Sequence, residues 1–377
     1  MTPAELSRTV LRSVRGAVEA RELVMAESAV PERVDVAPPP HPGCGDYATN
    51  VALRLAKDAG VPPREVAGIV AKRLAAVPGI DGVEIAGPGF LNITLGAAAP
   101  EALVREVLAA GTAYGRVDAP RPGTPNELRT GAPNELPTGT SVEFRTGTPI
   151  DLRLAPGPRA QVVGGALRAV MEAVGEGTRG GGEDVRPVPV KGADGEYVTG
   201  EELVARLGVD EMRWVLLYPA AHDHVRVPER PVQREGNPRF LVQYAYARTC
   251  ALSRNARELG FDDPGVDLDV PVGDSAGGPS GAGGTHDVPH TPLHAALAAY
   301  PAVLGAAARL RAPDRLARHL EVTAEAFFRF LVTCPPLPAG EQKPMAVHRA
   351  RLAVAQAAGT VLANGLTLLG ISAPEHL

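Results

Sequence analysis

The sequence predicts a multidomain protein, α+β at its N-terminal end and all-α at its C-terminal end, with a short mixed region between. Three observations carry this. Residues 1–116 combine helix-spaced apolar positions with two strand-like runs. A near-repeat rich in Pro, Gly and Thr then interrupts the chain, a composition that builds no core. From Asn237 onward, helical periodicity fills the chain apart from one glycine-rich acidic loop. With 377 residues, 45% hydrophobic and 21% charged, the chain has the composition of a globular protein and room for two or three cores.

Taken in order, Leu6, Val10, Val14, Ala17 and Val18 fall at helical spacing, which predicts an amphipathic helix over 3–24. Val34-Asp35-Val36 reads as a short strand before the prolines at 38–40. Gly43-Cys44-Gly45-Asp46 reads as a turn that ends in an N-cap, with a helix through Leu55 after it. Pro62-Pro63 opens a further helix that reaches Leu74. Val83–Ala86 and Phe90–Leu95 are strand-like and flank Gly87-Pro88-Gly89, a hairpin signal, and 100–110 is helical. Next comes the near-repeat, in which Thr124-Pro125-Asn126-Glu127-Leu128-Arg129-Thr130-Gly131 returns as Ala132-Pro133-Asn134-Glu135-Leu136-Pro137-Thr138-Gly139. It makes 117–141 a tether.

Beyond the tether, Val142-Glu143-Phe144 is strand-like, 159–174 is helical, and Thr199 with Glu202 forms a capping box at the head of a helix-turn-helix that runs to Leu217. Asn237 and Pro238 suit an N-cap and a first turn. Phe240, Tyr244, Ala247 and Ala251 then recur as one predicted apolar seam, with Arg239, Gln243, Tyr246 and Arg254 off it. The loop 262–292 is expected to be disordered. Helices are expected over 294–311, 313–334 and 345–369, the last broken by an irregular turn at Gly359. Their seams are Leu316, Leu320, Thr323, Phe327 and Leu331, and Val354, Val361, Leu362, Leu366 and Leu369.

The formal net charge is −5, so the chain as a whole is no generic polyanion binder. From Arg226 to the end there are fifteen Arg plus Lys against fourteen Asp plus Glu. Six of those acids lie in the 262–292 loop, which leaves the helices net basic, as phosphate contact requires. The cysteines Cys44, Cys250 and Cys334 match no metal spacing, and their odd number argues against a disulfide framework. His222-Asp223-His224 offers too few ligands for a metal. Trp214 reads as core. No apolar run is long enough to span a bilayer, and charges interrupt the N-terminus where a signal peptide would be apolar. The expected setting is reduced and cytoplasmic, without a membrane.

The text "NPRFLVQYAYAR" resembles "NPVYYVQYAHAR", which opens the anticodon-binding helical domain of the arginyl-tRNA synthetases. "DRLARHLEVTAEAFFRFL" and "VLANGLTLLGISAPEHL" are similar to later stretches of the same DALR-type domain. "GDYATNVALRLAK" followed by "VEIAGPGFLNITL" resembles the additional N-terminal domain of that family. The resemblance implies that 1–116 packs on the tRNA D-loop corner, where Phe90 stacks on a base and Asn92 reads its edge. It implies that 142–228 is a vestigial, truncated Rossmann remnant of a class I catalytic domain, and that 229–377 is the anticodon-binding bundle. In that bundle Gln243 and Tyr244 are candidate RNA contacts, and Arg239, Arg248 and Arg254 are candidate phosphate contacts.

The catalytic signatures of the family do not carry over. In register, the four HIGH positions read Leu154, Ala155, Pro156 and Gly157, so neither phosphate-binding histidine is present. The KMSK loop reads Pro189-Val190-Lys191-Gly192, with one displaced lysine. About thirty residues separate the two signatures, a helix and the glycine run 180–182 among them, whereas a dinucleotide fold needs several βαβ units of roughly thirty residues each. No catalytic residue is therefore assigned. The expected function is non-catalytic tRNA binding, with tRNA-Arg the first candidate and no cofactor. Two alternatives stay open: an arginine–tRNA ligase, using ATP, whose active site a protein partner supplies, and an interaction module that has lost RNA binding.

Overall fold

The computed structural model describes residues 3–31, 34–37, 39, 44–96, 99–116, 150–178, 182–192, 195–229, 236–261 and 291–377. The expected tether 117–141, the strand-like 142–144 and nearly all of the acidic loop lie outside the described residues. Contacts divide the chain into two compact units. One comprises 1–107, 249–302 and 325–358; the other comprises 108–248, 303–324 and 359–377. Four long C-terminal helices contribute to both.

In the first unit the N-terminal residues build an α+β layer. Helix α1 (Pro3–Glu19) buries Leu6, Val10, Val14 and Ala17, as their spacing predicts, and ends earlier than expected, with Arg21 in the left-handed region. Strand β1 (Tyr47–Thr49), helix α2 (Val51–Ala59), helix α3 (Pro63–Leu74), strands β2 (Ile80–Ala86) and β3 (Phe90–Leu95) and helix α4 (Ala99–Ala110) follow. The sheet order is β1-β3-β2, all antiparallel, with Ile93 between Tyr47 and Val83 and Leu91 between Thr49 and Ile85. Leu91 and Ile93 face the core with Leu55, Val66, Val70 and Leu74. The β2–β3 turn needs its glycines. Gly87 and Gly89 have φ of 52° and 143°, and a Cβ on Gly89 would lie 3.0 Å from the backbone of Pro63.

Two local expectations are corrected here. Val34–Val36 is not a strand; only Ala37 bridges to Ala48, and the Ser7 hydroxyl donates to the Val34 carbonyl. Asp46 does not cap α2, because β1 intervenes and α2 starts after Asn50. The Asp46 carboxylate instead accepts the Leu95 N–H at 2.8 Å, which closes the β1–β3 pairing at one end.

In the second unit, β4 (Leu152–Leu154), α5 (Pro158–Ala173) and β5 (Glu183–Val185) form one βαβ unit whose two strands pair in parallel. Parallel pairing requires such a crossover, and α5 supplies it. Helices α6 (Gly200–Leu207) and α7 (Val209–Leu217) follow, α6 opened by the Thr199–Glu202 capping box. Val190, Leu203, Leu207, Met212 and Leu216 form their core, and Trp214 is buried. Arg159 is also buried and acts as a staple. Its guanidinium donates to the carbonyls of Val188, Leu216, Pro219, Ala220 and Asp223 at 2.7–3.2 Å. Burial lowers its pKa, against the pull of the Asp223 and Asp314 carboxylates.

The C-terminal helices are α8 (Pro238–Glu258), α9 (Pro292–Arg309), α10 (Asp314–Thr333) and α11 (Ala346–Leu368). The seams expected on the last two are buried at Leu316, Leu320, Thr323 and Phe327 and at Val354, Val361, Leu362 and Leu366. Helix α11 runs unbroken through Gly359, against the expected turn, because neighbouring alanines and leucines carry the helix across it. No helix among the described residues is long and apolar enough to cross a membrane.

Candidate nucleic-acid interface

Helix α8 is the element on which most sequence-predicted contacts lie, and its buried face differs from the predicted one. Val242, Ala245, Thr249, Leu252 and Ala256 are buried at spacings of three and four residues. Phe240 is half-buried and Tyr244 is 38% exposed. The predicted seam is thus turned about the helix axis, and only Ala247 of its four residues is fully buried. The cause is the polar pair that the sequence had placed on the outside. Arg239 is 9% exposed and Gln243 only 2%.

Those two side chains are consumed internally. The Arg239 Nε donates to Glu211 Oε2 and its Nη1 to Gln243 Oε1. Asn237 donates its Nδ2 to both Glu211 oxygens at 3.1 and 2.9 Å, and its Oδ1 caps the Arg239 N–H at 3.0 Å. The Gln243 Nε2 lies 3.0 Å from Asp210 Oδ2 and 2.9 Å from the Ser372 carbonyl, both as acceptors. Helix α7 supplies the two carboxylates, and α8 supplies the amides and the guanidinium. The stretch after α11 closes the network at Ser372. Sequence reasoning missed Asp210, Glu211 and Ser372. No local spacing signals them, since their partners stand 26 to 162 residues away along the chain.

What α8 leaves open is a different stripe. The Phe240 and Tyr244 rings stack with centroids 5.8 Å apart and planes 7° from parallel. Arg248, one turn on, is exposed and forms no ion pair among the described residues. A flat ring pair followed by a guanidinium suits an unpaired base beside a phosphate. Arg254, further along α8, is half-buried.

In the N-terminal sheet, Phe90 and Asn92 both project from β3 on the face opposite Leu91 and Ile93. Phe90 is 41% exposed. Asn92 is 9% exposed, held between Ala48 and Glu84 in the register, so its amide is the less accessible of the two.

A cleft of about 680 Å3 lies where the two catalytic signatures fall in register. Its walls include Ala155, Pro156, Gly157, Pro189, Val190 and Tyr197. Lys191 stands over the Tyr197 ring at 5.2 Å. The Thr199 hydroxyl is engaged with Glu202, and Arg159 is wholly used on carbonyls. The cleft walls at the signature positions are thus largely apolar; Gln161 is exposed among the lining residues, and its amide is a neutral donor where the family's histidines would bind phosphate. No group of three or more His, Cys, Asp or Glu is placed to hold a metal among the described residues.

Residues 8–95 match the family model of the arginyl tRNA synthetase N terminal domain, and residues 242–377 match that of the DALR anticodon binding domain. The chain is 27% identical to the arginine–tRNA ligase of Paenarthrobacter aurescens and 28% identical to that of Pseudarthrobacter chlorophenolicus, each comparison covering 100% of both proteins. Those alignments run to 563 and 566 columns, so against 377 residues they leave 186 and 189 columns with no residue of this chain. Among solved structures, the arginyl-tRNA synthetase of Thermus thermophilus matches at TM-score 0.60 with 13% identity, over 100% of both chains. That of Plasmodium falciparum matches at TM-score 0.58 with 8% identity, over 99% of both. At such identities these two likenesses speak for the fold.

Proposed function

We propose that this chain, a relative of the arginyl-tRNA synthetases with their N-terminal domain and a DALR anticodon-binding domain, is a non-catalytic tRNA-binding protein. The observation that carries the reading is the cleft at the signature positions. Leu154, Ala155, Pro156 and Gly157 stand where two phosphate-binding histidines would be needed, and the one lysine nearby is stacked on Tyr197. Adenylate formation concentrates charge on phosphate oxygens, and the hydrophobic and glycine residues at those four positions do nothing to stabilise it. RNA binding draws support from the stripe of half-buried Phe240 with exposed Tyr244 and Arg248, and from Phe90 on the N-terminal sheet, the latter for a D-loop base. The first RNA to test is tRNA-Arg.

The relatives' name, arginine–tRNA ligase, favours a second reading, in which a partner protein completes the active site and ATP is a substrate. One assay separates the two. Purified protein with arginine, ATP and tRNA is expected to exchange no pyrophosphate into ATP, while filter binding retains tRNA. Exchange above a no-enzyme control overturns the non-catalytic reading. Failure to retain any tRNA at low salt overturns the binding reading.

A further inference from the structure

The network that buries Arg239 and Gln243 joins three stretches far apart in sequence, and its shape assigns it a purpose. Ser372 is exposed, yet its hydroxyl donates to Asp210 Oδ2, its N–H donates to Asp210 Oδ1 at 3.2 Å, and its carbonyl and hydroxyl oxygens accept from Gln243 Nε2. Two residues earlier the Gly370 carbonyl accepts from Arg213 on α7. Helix α7 thus grips the stretch after α11 at two points and the start of α8 through Glu211, with Asn237 and Arg239 as its partners. Gln243 is the shared member. It touches α7 and Ser372 on one side and Arg239 on the other, one residue before Tyr244. A side chain so engaged cannot also reach a phosphate or a base, whereas it does fix the rotation of α8 that turns Phe240, Tyr244 and Arg248 outward.

We infer that Asp210, Gln243 and Ser372 form a latch, and that Gln243 and Arg239 are positioning residues for the α8 stripe, not RNA contacts. The inference rests on the tRNA-binding reading and goes beyond it. It gives the helix left over from the shortened middle region a role, that of a platform which sets how α8 and residues 370–372 are held.

The test uses the full chain and filter binding of tRNA across a salt series, with melting temperatures alongside. Ser372 lies at the surface, so Ser372→Ala is expected to fold. It should weaken binding about three- to tenfold, the scale of one or two lost hydrogen bonds, with the salt slope and melting temperature unchanged. Ser372→Thr, which keeps the hydroxyl, should bind as the unaltered protein does. Gln243→Leu should likewise weaken binding without changing the slope. A merely structural role would move the melting temperature and leave the folded fraction's affinity intact. Binding by Ser372→Ala equal to that of the unaltered protein overturns the latch, as does a salt slope lowered by about one unit in Arg239→Met, which would mark a direct phosphate contact. If the unaltered protein binds no tRNA, the functional reading itself has failed, an outcome separate from either of these.

Discussion

At the scale of single residues, burial sorts the α8 side chains into two roles. Tyr244 stands open against Phe240, so Tyr244→Ala is expected to leave the melting temperature near its starting value. It should cost roughly 1–3 kcal/mol of tRNA binding, the scale of one base–aromatic stack. Arg248→Ala should weaken binding to all tRNAs alike and lower the salt slope by about one unit. Filter binding with thermal melts reads both; a Tyr244→Ala protein that melts lower yet binds normally would return Tyr244 to the core. A second residue, His348, links stability to pH. It is buried, and its Nδ1 accepts the Met345 N–H at 3.1 Å at the head of α11. Burial, helped by Arg351, holds its pKa below the ordinary 6.5. The folded state therefore binds this proton less readily than the unfolded one. The contribution is complete above 6.5 and is lost as pH falls through the lowered folded value. Calorimetry should show the melting temperature dropping on acidification, and His348→Gln, which keeps an acceptor without titrating, should flatten part of that drop.

At the scale of elements, helix pairing depends on small residues whose purpose spacing alone does not reveal. Gly365 on α11 faces Leu320 on α10, and a Cβ there would lie 2.9 Å from the Leu320 Cδ1 and nearer still to its Cδ2. Leu320 is fully buried, so its side chain would have to shift within the core. Gly365→Ala should gain helix propensity and still destabilise, by about 1–3 kcal/mol, through overpacking. Denaturant melts decide it; an alanine variant as stable as the original would mean the two helices separate at little cost. The α9–α10 turn shows a comparable dependence. Arg311, in the left-handed region, reaches both oxygens of Glu183, the first residue of β5, and hydrogen bonding to Glu183 raises its pKa. The βαβ unit is thereby tied to the α9–α10 turn within one unit of the chain by a charge-assisted, bidentate pair.

At the scale of the whole molecule, the N-terminal core is complete within residues 6–95: every buried member of its cluster, from Leu6 to Leu95, comes from that stretch. A fragment of residues 1–116 is expected to melt cooperatively on its own by circular dichroism. A fragment without a transition would show that the sheet depends on the C-terminal helices for its stability.

Much of this architecture was legible in the amino-acid order. Helix-spaced runs such as Leu6–Ala17 and Leu316–Phe327 bury the residues their periods select, and the hairpin around Gly87-Pro88-Gly89 and the Thr199–Glu202 box form where local chemistry dictates. The absence of histidines at the four aligned positions was likewise plain from the sequence, whereas the parallel pairing of β4 with β5 was not. The legible features depend on neighbours within a few residues, and there the chain carries its own answer. The rotation of α8 was not legible. Its apolar period and its polar residues offered two faces of similar quality, and the choice was made by Asp210, Glu211 and Ser372, distant in sequence, which turned Arg239 and Gln243 inward. A buried guanidinium and amide are stable only when their partners are in place, and only the tertiary structure brings those partners together.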